Sequence, residues 1–361
     1  MTTSTLTKQD LETLLKTRGT PEDTLHLLQN AYFPEVKRRM NSRESLRRFA
    51  LYNGEVLPSN ERNLTDVRTR MGVLIEFELA RISNQISFDF EITDLFWSYV
   101  VANRFPDLEI RRNDGNRLLR IEVKCIQARA EEKSANFSTL IKDIDPHTDF
   151  VVVCTWDWDK TRDQIVNWDE APQLIDIYVF HAYSLALMRD LRWLNTPQNL
   201  STDHLQGFGL RHAVTTNGLV YSREQGNYGK LLRIWDSKES LKPKSEHFIE
   251  ETIPTYLAFK DSISRKGFEV IAAEHLVSLA TAPIQSITLK SGKDAYFADS
   301  YAYVYGLVSA ADLAELRTNQ SLKYCISMNS KYKCKVIRLQ DQSVLMKSLK
   351  PKQVLTMFTQ G

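Results

Sequence analysis

Three residues in the stretch "PDLEIRRNDGNRLLRIEVKC" (106–125) have the types and spacing for phosphate chemistry: Asp107, Glu122 and Lys124. The stretch reads as two short strands joined by a tight turn. Asp114-Gly115, at the centre of "NDGN", is a strong hairpin signal because these residue types accept positive φ. With that pair as a two-residue loop, Asn113 faces Asn116, Ile110 faces Leu119, and Asp107 faces Glu122. Facing Cβ atoms lie roughly 5 Å apart, so two carboxylates sit side by side at the open end of the hairpin. Like charges there repel, and a cation between them compensates. A hard divalent ion such as Mg2+ takes one or two carboxylates together with waters and substrate phosphate oxygens. Lys124, two residues past Glu122, projects from the same strand face. Its ammonium would steady an attacking water or the charge that grows on phosphorus.

The spacing Glu-x-Lys carries little by itself. An acid two residues before a lysine occurs four times, at 35–37, 122–124, 131–133 and 236–238. Only the copy at 122 lies in an apolar-flanked strand, "LLRIEVKCI", with an acid in register opposite it; otherwise it is a solvated hairpin end. The surrounding elements bear on the choice. The first 60 residues read as helical: in "TPEDTLHLLQNAYF" Thr20 is the N-cap, Pro21 takes the first helical position, and acids fill the first turn. Val67, Met71, Leu74, Ile75, Leu79, Ile82 and Ile86 form an apolar stripe that predicts a long helix over 63–86. Residues 88–105 read as a short strand and then an aromatic helical turn, "DLFWSYVVANRF". After the hairpin, "NFSTLIKDI" reads as a helix and "DFVVVCTW" as a buried strand, from its continuous apolar run. "LIDIYVFHAYS" then reads as a strand and "LALMRDLRWL" as a helix. This order predicts an α/β chain with a mixed β-sheet flanked by helices.

Asp107 preceded by Pro106, then fourteen residues, then Glu122-Val123-Lys124, resembles the signature of the PD-(D/E)XK nuclease superfamily. That group includes many restriction endonucleases and archaeal Holliday-junction resolvases. The resemblance covers roughly residues 63–195 and implies a restriction-endonuclease-like core. It also implies that Asp107 and Glu122 bind Mg2+ and that Lys124 assists hydrolysis of a phosphodiester. Many members add a glutamate from the preceding helix, and "GVLIEFELA" resembles the Gly-x-x-x-Glu helix of the resolvases, which selects Glu76. The helical wheel points instead to Glu78, which falls within the apolar stripe, where a carboxylate needs a partner. The motif is followed here and Glu76 taken, with Glu78 the alternative. Gln127 echoes a downstream glutamine of some nuclease branches, or is a solvated polar residue. The implied chemistry is metal-assisted hydrolysis, with Mg2+ polarising the scissile phosphate and lowering the pKa of a bound water.

Other chemistries find less support. The seven histidines form neither His-x-x-x-His nor His-Glu-x-x-His, which argues against a zinc hydrolase, and no Gly-x-x-x-x-Gly-Lys-Ser/Thr loop is present. Asp157 and Asp159 in "TWDWDK" read as a strand end rather than a second acid pair. Six basic residues against two acidic ones between Glu35 and Arg48 read as a solvated helix face or as a phosphate-contacting arm using Arg38 and Arg39. "TTNGLVYSREQGNYGKLLRIW" (215–235) offers Asn217, Arg223, Tyr228, Lys230 and Arg233 for base edges, phosphates and stacking, or is a polar loop between two strands. "KYCISMNSKYKCKVIRL" reads as a half-exposed strand. Tyr301, Tyr303 and Tyr305 share one strand face and read as core, and "SAADLAELR" as a capped helix.

Composition bounds the setting. The 361 residues carry 47 Lys and Arg against 45 Asp and Glu, so any nucleic-acid surface must be local. Four dispersed cysteines suit a reducing cytoplasm, and neither a signal peptide nor a membrane-spanning run is read in the sequence. The expected organisation is a helical N-terminal arm (1–60), a nuclease-like domain (61–240) and a smaller C-terminal α/β domain (241–361) that recognises DNA or a partner. "DSKESLKPKSEH" (236–247) is the linker. Within these bounds the resemblance implies a cytoplasmic Mg2+-dependent DNA endonuclease of restriction or phage-defence type. The alternatives are a structure-selective repair or recombination nuclease and a non-catalytic DNA-binding subunit with the same fold. Cutting both strands implies a two-fold homodimer, and a restriction-modification system would add a partner methyltransferase.

Overall fold

The computed structural model describes residues 5–16, 19–42, 44–45, 61–101, 105–128, 135–159, 171–194, 213–216, 219–222, 229–235, 242–280, 282–329, 333–351 and 353–354. Asn217, Arg223 and Tyr228 lie outside the described residues, as does the first half of the expected linker. The chain divides into two compact units, one of Met1–Gln127 with Glu132–Lys260, the other of Ala128–Glu131 with Asp261–Gly361. The division therefore falls at Lys260 rather than at 240. Residues beyond the polar stretch return to the first unit: the Ile249 N–H donates to Ser184 Oγ at 2.8 Å, and Tyr256 and Phe259 pack on Phe180.

In the first unit, α1 (Lys8–Lys16), α2 (Pro21–Leu27), a π-helical turn (Leu28–Tyr32) and α3 (Phe33–Met40) precede the long α4 (Glu61–Asp89). Thr20 caps α2, its Oγ1 accepting from the Asp23 N–H at 3.2 Å. Leu11, Leu28 and Phe33 join one buried cluster with Ile75 and Leu79 of α4, and Tyr32 stacks on Trp97 with centroids 5.2 Å apart. The N-terminal helices are thus part of the core rather than a separate arm. Helices this short are held by burial of an apolar face, not by propensity.

The sheet of this unit has the spatial order β1 (Leu95–Tyr99), β2 (Leu108–Arg112), β3 (Arg117–Gln127), β4 (Asp149–Asp159), β5 (Ala171–His181). β3 and β4 run parallel and the other neighbours antiparallel, and α5 (Ala182–Leu194) follows. Val151, Val152 and Val153 are all buried, as the continuous apolar run of β4 required. Two expected helices do not form. Residues 95–99 are a strand, in keeping with their aromatic content. Residues 136–144 hold only the short 3-10 turn Ile141–Asp143, because the buried Arg189 guanidinium draws the Phe137 and Thr139 carbonyls to 3.1 and 2.8 Å. The Phe137 N–H donates to the Gly229 carbonyl at 2.7 Å and the Ala135 carbonyl accepts from the Leu231 N–H at 3.0 Å, so the backbone here is paired outside a helix. A two-stranded hairpin, β6 (Ala213–Thr216) and β7 (Leu219–Ser222), and α6 (Thr252–Leu279) complete the elements up to the second unit.

The second unit holds a six-stranded mixed sheet. Its strands are β8 (Gln285–Thr288), β9 (Asp294–Ala298), β10 (Tyr301–Tyr305), β11 (Tyr324–Met328), β12 (Cys334–Arg338) and β13 (Val344–Leu349), in the spatial order β13-β12-β11-β10-β9-β8. β10 and β11 are parallel and connected through α7 (Ala310–Arg317), which opens on a Ser309–Asp312 capping box. Tyr303 is buried against Phe268, Ala272 and Leu276, while Leu313 and Leu316 of α7 cover Ala302 and Val304. The stretch read as one half-exposed strand is two interior strands, β11 and β12, with consecutive buried residues because helices cover both faces. Among the described residues no helix is long and apolar enough to cross a membrane.

The β2–β3 hairpin differs from expectation at its tip. The Gly115 N–H donates to the Arg112 carbonyl and the Arg112 N–H to the Asn116 carbonyl, both at 2.9 Å. The loop is therefore three residues long, with Gly115 left-handed at φ +84°. Arg111 faces Arg117, and a register shift between Ile110 and Arg111 restores the pairs Ile110↔Leu119 and Leu108↔Ile121. The extra loop residue and the bulge cancel, so the far end of the hairpin has the expected register. A Cβ on Gly115 meets nothing within 4 Å, so Gly115→Ala tests backbone conformation alone. Urea denaturation should show a loss of about 1 kcal/mol; unchanged stability would contradict a left-handed residue 115.

Candidate active site

The site forms where β3 outruns β2. Pairing between the two ends at Leu108↔Ile121, and β3 continues to Gln127. One step past the last pair, the Asp107 N–H donates to the Ile121 carbonyl at 3.1 Å. The Asp107 carboxylate then takes the next backbone donor, accepting from the Val123 N–H at 2.8 Å. Lys124 reaches back over the same edge, its Nζ 2.7 Å from Glu122 Oε1 and 3.8 Å from Asp107 Oδ2. The three side chains expected to converge therefore share one small volume, each between 11 and 24% exposed.

Glu76 belongs to the same group. Burial, then the charges of Asp107 and Glu122 against the opposing Lys124, push its carboxyl up to about 7. Glu78 is buried too, but its carboxylate is taken by the Arg81 guanidinium one helical turn on. Glu78 is buried, as its place in the apolar stripe implied, and the partner it needs there is an arginine of the same helix.

Three carboxylates against one ammonium leave the cluster short of positive charge. Burial raises the pKa of Asp107 and of Glu122, with Lys124 opposing in both cases. Burial alone would lower the pKa of Lys124, but Glu122, Asp107 and Glu76 outweigh it and hold the ammonium charged. Glu122 Oε2 is buried without a hydrogen-bond partner. An unpartnered carboxylate oxygen beside a second carboxylate is the donor set a hard divalent cation takes. Among the described residues no group of three or more His, Cys, Asp or Glu side chains is arranged as a metal cage. Mg2+ does not require one, since two carboxylates with water and phosphate oxygens suffice.

The remaining expected residues lie elsewhere. Arg38 is paired with Glu35, and Arg39 bridges Glu35 and Asp89. Asp89 is thirteen residues beyond Glu76 on α4, or about 20 Å along the helix, so this basic group is remote from the cluster. Lys230 forms an isolated bridge with Asn136, and Arg233 ends the 3-10 turn Leu231–Arg233. Gln127 ends β3, and Asp159 ends β4 as expected, with Asp157 buried two residues before it. One neighbour escaped the sequence reading: Tyr99, whose hydroxyl pKa is raised by burial and then by Glu76 and Asp107. It ends β1, and the aromatic run "LFWSY" carried the strand signal that a helical reading obscured.

Fold and site together define an α/β protein of two mixed sheets with a carboxylate–lysine cluster where β3 extends beyond β2. The chain matches no protein-family model and no curated protein.

The raised Glu76 pKa sets a pH dependence in metal-free protein. Between its ordinary value of 4.5 and about 7 the folded state holds more protons than the unfolded state, so stability falls as pH rises through that window. Glu76→Gln should flatten the decline and make the variant more stable than wild type at pH 8, but not at pH 5. Denaturation in EDTA at the two pH values checks this; equal stabilities at both would contradict it.

Proposed function

We propose that this chain is a Mg2+-dependent DNA endonuclease of the PD-(D/E)XK type, acting in restriction or phage defence. The observation that carries the reading is the meeting of Asp107, Glu122 and Lys124 at one strand edge, with Glu122 Oε2 unpartnered. Asp107 and Glu122 would hold Mg2+, which when bound polarises a phosphodiester and makes a coordinated water more acidic. Each protein group then has a defined task. Asp107, fixed through the Val123 N–H, presents a carboxylate in one orientation. Lys124 keeps a charged ammonium within reach of both acids, placed to hold a water or to offset charge growing on a phosphate oxygen. Glu76, the third carboxylate of the group, would be available to accept a proton from such a water.

A DNA substrate follows from the same reading, as does a two-fold homodimer if both strands are cut. A methyltransferase partner belongs to it only in a restriction-modification system. A structure-selective repair nuclease would use the same chemistry, and a preference for branched DNA over plasmid would favour it.

The test is incubation of purified protein with plasmid and phage DNAs of varied methylation plus Mg2+, followed by sequencing of the cut ends. Discrete ends are expected from wild type. Lys124→Ala and Asp107→Asn should each reduce cleavage at least about 10³-fold, comparable to removal of a transition-state contact, while DNA binding stays within about threefold. Wild-type protein that binds these DNAs yet cuts none with Mg2+ or Mn2+ would refute the enzyme reading in favour of a binding subunit. Mg2+ should also raise the melting temperature of wild type and not of Asp107→Asn; equal shifts would place the metal elsewhere.

A further inference from the structure

Arg120 shares the β3 face of Glu122 and Lys124 by strand alternation, and two of its three guanidinium nitrogens are already engaged within the protein. Nε donates to Asp149 Oδ1 at 2.6 Å, and one terminal nitrogen reaches Asp149 Oδ2 and, at 3.1 Å, the Asp143 carbonyl. Asp149 is fully buried and further fixed by the Asp145 N–H at 2.7 Å and the Thr148 hydroxyl at 3.1 Å. The plane so immobilised lies over the Phe105 ring, with the guanidinium carbon 4.9 Å from its centroid. Phe105 is two residues before Asp107. A cation on an aromatic face is held electrostatically, more strongly when partly desolvated, and the Arg120 side chain is only 16% exposed.

The segment that needs this support is short. The main chain at residue 107 is held on both sides, its N–H by the Ile121 carbonyl at 3.1 Å and its carbonyl by the Val100 N–H at 2.8 Å, so what remains to be set is the entry of the chain through Phe105 and Pro106. We propose that Arg120, locked on Asp149 and stacked on Phe105, is a positioning residue that sets the approach of the chain to Asp107 and so holds its carboxylate beside Glu122. The proposal deepens the nuclease reading and rests on it for its effect on cleavage, but not for its effect on Asp107.

The Val123 N–H bond to the Asp107 carboxylate reports the position of that side chain without metal or activity. Phe105→Leu keeps the bulk and removes the ring face. Arg120→Lys keeps the charge for Asp149 but cannot form two parallel bonds or lie flat on a ring. Amide exchange and single-turnover cleavage with Mg2+ are measured in both variants, with melting temperature as the control for folding. Exchange at Val123 should accelerate about fivefold or more, while Val152 inside β4 stays protected. Cleavage should fall on the order of 10²-fold, and Phe105→Tyr, which keeps the ring, should restore it. Folded variants with wild-type exchange at Val123 and wild-type cleavage would overturn the proposal. If wild type cuts no DNA, faster Val123 exchange still sustains the positioning role while the nuclease reading fails. If Arg120→Lys does not fold, Phe105→Leu decides alone.

Discussion

The arrangement depends on one mismatch of length: β3 continues past the point where β2 begins. At that step the backbone ladder runs out, and the Asp107 carboxylate takes the Val123 N–H that a neighbouring strand would otherwise have satisfied. A buried unpaired N–H is costly, so one bond both completes the strand edge and orients a carboxylate. Glu122 and Lys124 follow from the same edge by alternation, with β4 on the other side of β3 fixing the strand itself. The α4 helix closes the group, Gly72 lying against Cys125 and Glu76 falling one turn further along.

The second constraint is charge. Burial raises the pKa of all three carboxylates, Asp107 adds to the rise at Glu122, and both add to it at Glu76, with the one shared ammonium opposing. Such a cluster is poorly stabilised as a structural device, since an ordinary buried acid is paired one to one, as Glu78 is with Arg81 and Asp149 with Arg120. Among the described residues of this unit both arrangements occur, paired acids and an imbalanced cluster. Clustered, perturbed carboxylates of this kind are a physical reason to look for function.

The sequence made much of this legible, for reasons that differ by element. The register at Asp107 was readable because Asp-Gly pins a turn and apolar alternation pins the faces, although the loop and the bulge each differ by one residue from the simplest hairpin. The valine run of β4 could only be a strand covered on both sides. What was not legible depended on distant partners. Arg189 holds 137–139 away from helix, whereas the strand 95–99 carried a local signal in its aromatic content, which pairing with β2 and stacking of Tyr32 on Trp97 complete. Glu76 and Glu78 could not be separated by a wheel, because their fates turn on Arg81 and on where β3 ends. The basic run at 37–39 read as a solvated helix face or a phosphate-contacting arm, and its charges are paired within the unit with Glu35, Asp89 and Asp176.

In the proposed site the Asp107 and Glu122 carboxylates would bind one hard cation between them. Anomalous diffraction from crystals grown with Mn2+ tests it most directly, because Mn2+ takes the oxygen donors of a Mg2+ site and is located by its own scattering. The account predicts a peak within about 2.5 Å of an oxygen of each of the two carboxylates, with Glu122 Oε2 among the ligands. A fully occupied ion elsewhere, or ordered carboxylates at 107 and 122 with no peak between them at saturating Mn2+, would contradict it.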